Sequence, residues 1–202
     1  MERKTTVCPL PTGIDDQFIK TWHPRYDETE CDEPEYQRLL VRVSSEITAR
    51  HTLTRLTFEE ILNWKAARVK GIIDWDNFSD YSYKIKKSLE ESDQNKMTLL
   101  TSLRGIGAPV ASTFLHFIYP NSFPIFDQRT VGVLRYFRYI YSKSTELAQY
   151  PAFRSAVLKI QASCPEWSLR EIDRAVFAFH KLNDEIFGTL SKPSKTGYHR
   201  SC

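Results

Sequence analysis

Apolar residues recur along most of this chain at intervals of three and four, which is the spacing of one face of a helix. One such stripe consists of Tyr36, Leu39, Leu40, Val43 and Ile47. Comparable stripes lie in the segments 57–71, 76–92, 97–103, 110–118, 127–140, 153–160 and 168–186. No convincing run of alternating apolar and polar residues indicates a strand. The pattern therefore predicts an all-α fold of about eight helices.

Polar residues predict where two of these helices begin. Thr57-Phe-Glu-Glu60 and Ser168-Leu-Arg-Glu171 both have the form of a capping box. In this motif the hydroxyl accepts a hydrogen bond from the N–H of the glutamate, whose carboxylate accepts one from the N–H of the hydroxyl residue. We expect a helix start at each motif.

The ends of the chain differ in character from its centre. Residues 1–33 contain three prolines and lack a clear period, which predicts an irregular N-terminal arm with a short helix around Asp15–Trp22. We expect residues 191–202 to form a mobile tail. The helical domain is then expected over 34–190.

Charge is unevenly distributed although the net value is only +3. Residues 1–101 carry 15 Lys and Arg against 18 Asp and Glu, whereas residues 102–202 carry 13 against 7. A basic C-terminal half suits a surface that faces phosphate, and equally a solvated face without a partner.

Cysteine spacing argues against a metal centre. Cys8, Cys31, Cys164 and Cys202 form no Cys-x-x-Cys pair, so we expect no zinc or iron–sulfur site and predict free thiols. There is no apolar run of about 18 residues and no apolar segment after the first four residues, so we expect no membrane association. The expected location is the cytoplasm and nucleoid, or the nucleus in a eukaryote.

Two glycines separated by one residue lie between two helical patterns, at Gly105-Ile106-Gly107. Glycines let another backbone come close, and Ile106 can anchor the turn in the core. The free N–H groups at the start of the next helix favour an anion such as a DNA phosphate. An ordinary tight turn between two helices explains the same residues.

Asp127 follows the second glycine by 20 residues and precedes a helical stripe. An aspartate there is an ordinary helix N-cap. A capping aspartate can also face a cleft beside the hairpin, so the two interpretations are compatible.

Leu103-Arg-Gly-Ile-Gly107 resembles the Leu-Pro-Gly-Val-Gly hairpin of the helix-hairpin-helix DNA glycosylases, the endonuclease III and adenine-DNA glycosylase superfamily. Phe123-Pro-Ile-Phe-Asp127 is similar to the segment that carries the superfamily's catalytic aspartate. The resemblance covers about residues 97–138, with the hairpin in 97–118 and the aspartate-bearing segment in 123–140. It implies a glycosylase-like bundle with Asp127 as the catalytic residue.

The departures from the family pattern refine what the resemblance implies. Arg104 replaces the usual hairpin proline and adds a positive charge to the expected phosphate contacts of Gly105, Ile106 and Gly107. Pro109 stands where the lyase members carry a lysine, so the implied enzyme is a monofunctional glycosylase without lyase activity. The iron–sulfur loop is absent. We expect double-stranded DNA as partner, a monomer, and no cofactor beyond an optional monovalent cation at the hairpin.

The base pocket and the phosphate path have weaker signals. Aromatic residues that could stack on a flipped base, or belong to the core, are Trp64, Trp75, Tyr81 and Tyr83. His51 and His116 could donate to a leaving base, or be packed or surface histidines. Side chains that could follow the DNA backbone, or form a solvated face, are Arg129, Arg135, Arg138 and Lys143.

Two other functions fit the same residues. A non-catalytic helix-hairpin-helix module would bind DNA phosphates and use Asp127 only as a cap. A helical protein–protein interaction domain would bind no nucleic acid.

Overall fold

The structure is a computed structural model that describes residues 11–188 and is all-helical there, which confirms the predicted fold class. The ten α-helices of this range are α1 (Asp16–Trp22), α2 (Glu33–Arg50), α3 (Arg55–Ala66), α4 (Phe78–Glu90), α5 (Asp93–Thr101), α6 (Ala108–Ile118), α7 (Gln128–Tyr136), α8 (Tyr150–Ser163), α9 (Leu169–Leu182) and α10 (Asp184–Phe187). Short 3-10 helices cover Pro24–Glu28, Ala67–Gly71 and Leu147–Gln149. The expected last helix over 168–186 is divided at Asn183, whose side-chain amide donates to the Phe179 carbonyl.

The helices pack in two groups around two central elements. Helices α2, α3 and α5 surround α6, and α4 packs on α5. Helices α1, α7, α8 and α10 surround α9. Both groups contribute to one continuous apolar core. The chain crosses from the first group to the second through residues 119–127, which places Asp127 at their boundary.

The core is rich in aromatic rings that meet edge to face, an arrangement that adds to the free energy of apolar burial. Phe179 of α9 is fully buried and contacts the rings of Phe18, Trp22 and Phe137. Phe58 of α3 is also buried and stacks on Phe114 of α6, with ring centroids 4.4 Å apart. These contacts hold the two central helices in fixed positions.

The first capping prediction is wrong and the second is confirmed. Helix α3 is capped by Thr54, whose hydroxyl accepts from the Thr57 N–H at 3.3 Å, so Thr57 lies inside the first turn. Glu46 of α2 accepts from the hydroxyl groups of both threonines, while Glu60 is paired with Arg42 instead of returning to Thr57. A tertiary contact therefore displaces the local motif. The Ser168–Glu171 capping box is present at α9.

The described part of the N-terminal arm is docked on the second helix group. The predicted short helix is present as α1, capped by Asp15. The prediction of irregular chain around it needs correction, because residues Pro24–Glu28 form a 3-10 helix against α9. The Trp167 indole N–H donates to Asp16 at 2.8 Å. Residues 1–10 and the predicted tail, 191–202, lie outside the described residues.

Cysteine chemistry differs in part from expectation. Cys31 is disulfide-bonded, which corrects the prediction of a free thiol at this residue. Cys164 is a buried free thiol at the end of α8. Burial raises the pKa of the Cys164 thiol, so it is held in the neutral form.

Candidate active site and nucleic-acid interface

The glycine hairpin joins α5 to α6 in a tight turn. Gly105 has a φ of 83°, in the left-handed region that glycine adopts freely. Ile106 is buried in the core, and its N–H donates to the Leu103 carbonyl at 3.1 Å. The turn is therefore anchored from below by an apolar side chain and closed by a backbone hydrogen bond.

Several backbone N–H groups at the hairpin are unpaired among the described residues. Gly107 is the N-cap of α6 and is exposed. Within residues 11–188, the N–H groups of Gly105, Gly107 and Ala108 donate no hydrogen bond. Arg104 is exposed beside them, while its carbonyl accepts from the Tyr81 hydroxyl at 2.8 Å. A helix start with unpaired N–H groups and an adjacent guanidinium suits an anionic ligand.

Replacing Gly105 with Ala should destabilise the protein. A Cβ at this residue would lie 3.0 Å from Ile73 Cδ1, and the backbone has a conformation that alanine adopts poorly. We expect the free energy of unfolding to fall by about 1–3 kcal/mol, measured by urea denaturation. Gly107→Ala is the matched control, because Gly107 has a φ of −78° and a Cβ there meets only Pro109, at 3.9 Å. Equal losses for the two variants would contradict this account of the turn.

Asp127 is the N-cap of α7, as expected. Its Oδ1 accepts from the Arg129 N–H at 2.8 Å and from the Thr130 N–H at 2.9 Å. The Thr130 hydroxyl in turn accepts from the Asp127 N–H, which completes a capping box. Oδ2 forms an ion pair with Lys65 Nζ of α3 at 3.4 Å. One oxygen thus caps α7, and the other pairs with a cation from the opposite helix group.

The surroundings of Asp127 hold it as a carboxylate. Burial alone would raise its pKa, but the charge of Lys65 and the N–H donors of Thr130 and Arg129 outweigh that effect. The net result is a pKa below the ordinary value of an aspartate. A charged carboxylate that keeps about a fifth of its side chain exposed is available to a ligand.

Asp127 lies in a cavity of about 410 Å³ at the boundary between the two helix groups. The start of α6 forms one wall through Pro109 and Val110, so the helix that follows the glycine turn borders the cavity of the aspartate. Phe177 of α9 forms an aromatic wall. The remaining lining residues are Lys65, Ala66, Arg68, Gln128, Arg129 and Thr145.

Comparison with known proteins gives no relative. No protein-family model, curated protein or solved structure matches this chain. Across residues 11–188, no helix has the length and apolar character needed to span a membrane, and no three His, Cys, Asp or Glu side chains are grouped as a metal site. The hairpin and the cavity are therefore the features of this protein that bear on its function.

Arg129, which the sequence suggested for the phosphate path, lines this cavity. Its guanidinium donates to His180 Nδ1 at 3.1 Å and is paired with Asp184 at 3.4 Å. The same group lies over the Phe177 ring, with Cζ 5.6 Å from the ring centroid. About 30 % of the side chain is exposed, so one side of the guanidinium faces solvent.

The four aromatic residues proposed for the base pocket lie elsewhere. Trp64 packs against Tyr36 and Phe117 without lining the cavity. Trp75 and Tyr81 belong to the cluster around Phe58. Tyr83 is 60 % exposed on α4. The structure does not bring this set together with Asp127, because apolar spacing on a helix cannot distinguish a core ring from a ring in a cleft.

The two candidate histidines do not lie at the cavity either. His116 is fully buried and bonded to the Tyr36 hydroxyl at 2.9 Å and to the Phe123 carbonyl at 2.8 Å. Burial lowers its pKa to about 4, so it is neutral at physiological pH. His51 is exposed at the end of α2. Neither is placed to protonate a leaving base in the cavity around Asp127.

The structure adds two cavity residues that the sequence did not indicate, Lys65 and Phe177, and a buried carboxyl group outside the cavity lining, Asp173. Asp173 lies one helical turn before Phe177 on α9 and accepts from Arg170 at 3.0 Å. Burial raises the pKa of Asp173 to about 6, Arg170 opposes this, and the charge of Asp127 adds to it. Because Lys65 and Phe177 reach Asp127 from distant parts of the chain, no local motif indicates them.

Proposed function

We propose that the protein is a monofunctional DNA glycosylase, which hydrolyses the N-glycosidic bond of a damaged or modified base flipped out of duplex DNA. The observation that carries the proposal is the placement of Asp127. Its carboxylate has a lowered pKa and lies in a cavity that is bordered on one side by the N-terminal turn of α6. This arrangement offers a phosphate site and a charged carboxylate next to each other.

Each part of the site has a role in the proposed reaction. The free N–H groups at Gly107 and Ala108 bind a phosphate of the DNA backbone without reading its sequence. The target base leaves the stack and enters the cavity, whose 410 Å³ is in the range of sites for small ligands. The Phe177 ring and the Arg129 guanidinium over it line the cavity and offer the base an aromatic and a cationic contact.

Asp127 acts on the sugar. As the bond from C1′ to the base nitrogen breaks, its electron pair leaves with the base, which takes up a proton. The positive charge that develops on the sugar is stabilised by the Asp127 carboxylate, in the way that carboxylates serve glycoside hydrolases. A water oxygen then bonds to C1′ and loses a proton, leaving an abasic sugar. Oδ2, which pairs with Lys65, is the oxygen assigned to this role, because Oδ1 accepts two backbone N–H bonds.

A non-catalytic DNA-binding module is the second candidate. The complete capping box at α7 accounts for Asp127 without any chemistry, and this observation favours it. The two functions differ in one measurable product, the abasic site. A protein–protein interaction domain differs from both. Its binding to duplex DNA would not show the linear fall of log affinity with log salt concentration that phosphate contacts produce.

The proposed reaction should leave the DNA strand intact. Among the described residues that line the cavity, Lys65 is the one lysine, and its Nζ is engaged by Asp127 at 3.4 Å. A Schiff base to the sugar requires a free amine, and this one is held as an ion pair. The product should therefore break only after treatment with alkali or heat. A covalent protein–DNA adduct trapped by borohydride would contradict this, and its loss in Lys65→Met would identify the nucleophile.

Lys65→Met should change the pH dependence of excision. Removing the positive charge raises the pKa of Asp127 toward the value that burial favours, so the carboxylate is lost at a higher pH than in the wild type. The acid limb of kcat/KM against pH should move to higher pH. Arg68→Met is the matched control, because Arg68 lines the same cavity and forms no ion pair with Asp127. An acid limb that stays in place in Lys65→Met would exclude Asp127 as the group that titrates there.

A further inference from the structure

A second cavity, of about 660 Å³, follows α7 away from Asp127. We call it the α7 groove and define it by Gln128, Arg135, Arg138, Tyr141, Lys143 and His180. Gln128 also lines the cavity of Asp127, so the groove begins where that cavity ends. The nine residues of α7 give it a length of about 13 Å.

The groove is strongly basic. Arg135, Arg138 and Lys143 are exposed there, and no carboxylate is among its described lining residues. None of the three cations has an ion-pair partner in the part of the chain that the structure describes. Tyr141, 91 % exposed, lies between Arg138 and Lys143 in the chain. Unpaired cations next to an exposed aromatic ring are typical of a surface that binds nucleic acid.

Arg138 is held in a backbone conformation that arginine adopts poorly. Its φ is 61°, one of two positive values among the non-glycine residues of the described chain. Helix α7 ends there in a Schellman motif, in which the Arg138 N–H donates to the Arg135 carbonyl and the Tyr139 N–H to the Leu134 carbonyl. Glycine or asparagine is the usual residue at this place. An arginine at this position makes the fold less stable than a glycine would, which points to a function for the arginine side chain.

A buried polar atom lies at the floor of the groove. His180 is fully buried, and its Nε2 has no hydrogen-bond partner within residues 11–188. The other ring nitrogen, Nδ1, lies 3.1 Å from the Arg129 guanidinium, which lines the Asp127 cavity, and 3.2 Å from Asp184 Oδ1. The imidazole thus connects the groove to the proposed site, and one of its two polar atoms is left unsatisfied by the protein itself.

We propose that the α7 groove binds the sugar-phosphate backbone of the DNA segment adjacent to the target nucleotide. The proposal rests on the glycosylase function proposed above and extends its DNA contacts beyond the hairpin. A length of about 13 Å, measured along the axis of a duplex, corresponds to about four base-pair steps of 3.4 Å. Arg135, Arg138 and Lys143 neutralise phosphates of this segment, and Tyr141 offers its ring to a base or sugar of the same segment.

Arg138→Gly gives a test in which stability and binding should change in opposite directions. Glycine relieves the strained backbone, so the urea midpoint should be equal to or higher than that of the wild type. Loss of one phosphate contact should weaken binding to a fluorescein-labelled duplex with a tetrahydrofuran abasic analogue by about tenfold. The slope of log affinity against log salt should fall by about one unit. Unchanged affinity and slope in a folded Arg138→Gly protein would overturn the proposal for this residue.

The whole groove is tested by the triple variant R135A/R138A/K143A against R50A/K86A/K87A. Both remove three exposed cations, but the second set lines neither the groove nor the Asp127 cavity. The groove variant should lose about 2 to 3 units of salt slope, and the control should keep the wild-type slope. Equal losses of slope in the two variants would show a general charge effect and overturn the proposal. The proposal would also be overturned if the groove variant lost binding to phosphatidylserine vesicles but kept its binding to the duplex.

The two proposals fail in different ways. If the groove variant binds the duplex and excises bases like the wild type, the groove proposal is wrong and the glycosylase proposal stands. If the wild type binds DNA through the groove but forms no abasic product, the catalytic proposal is wrong and the groove remains a DNA contact. A wild type without duplex affinity would contradict both.

Discussion

Asp127→Asn should lower the rate of base excision by about 10²- to 10⁴-fold while changing DNA affinity by no more than a few-fold. The charge that stabilises the sugar is needed as the glycosidic bond breaks, so its removal acts on the transition state more than on the bound ground state. Asparagine is also a good N-cap, and its amide oxygen can accept from the Arg129 and Thr130 N–H groups as Oδ1 does. Single-turnover excision and fluorescence anisotropy measure the two effects separately.

Asp15→Asn is the matched control for this substitution. Asp15 caps α1, where its side chain accepts from the Phe18 N–H at 2.8 Å, and it lies outside the Asp127 cavity. The same change of charge at the same kind of position should leave excision unaltered. Full activity in a folded Asp127→Asn protein would remove Asp127 from the mechanism and leave it as a helix cap.

Gly107→Leu should weaken binding to every duplex alike, by about 10- to 100-fold. The side chain would stand over the free N–H groups at the start of α6 and keep a phosphate from approaching them. The fold should tolerate it, because the φ of Gly107 is −78° and the nearest atom to a Cβ is 3.9 Å away. Anisotropy with duplexes of different sequence and an unfolding curve give the two readouts.

Gly71→Leu controls for the added apolar side chain. A Cβ on Gly71 meets nothing within 4 Å, and this residue is not part of the α6 N-terminus. Its duplex affinity should match that of the wild type. If Gly107→Leu binds normally while folded, the hairpin is a structural turn and the phosphate site proposed for it does not exist.

Local signals in the sequence predict the local parts of this structure. The Ser168–Glu171 box, the cap at Asp127 and the turn around Ile106 depend on residues within three or four positions of each other. Spacing along the chain is sufficient for such contacts. The Thr57 prediction fails for the complementary reason, because Glu46 from another helix bonds the threonines and favours Thr54 as the cap.

The sequence indicates some residues of the candidate site but not others. Asp127 and Gly107 lie in motifs, whereas Lys65 is 62 positions from the aspartate that it pairs with. Phe177 looks like any other apolar residue of an amphipathic helix, although it faces the cavity. Trp75 has the same appearance in the sequence and packs beside Phe58 instead. Only the tertiary structure, which brings Lys65 of α3 and Phe177 of α9 to the start of α7, separates rings of the core from rings of the cleft.

Base excision itself is the most direct test of this account. A panel of duplexes, each with one damaged or modified base in a labelled strand, is incubated with the full chain, treated with alkali and resolved on a denaturing gel. We expect strand breakage at the modified base in at least one duplex, present only after alkali and absent with Asp127→Asn. Duplexes that are all bound by the wild-type protein and yet contain no alkali-sensitive site would contradict the proposed glycosylase activity.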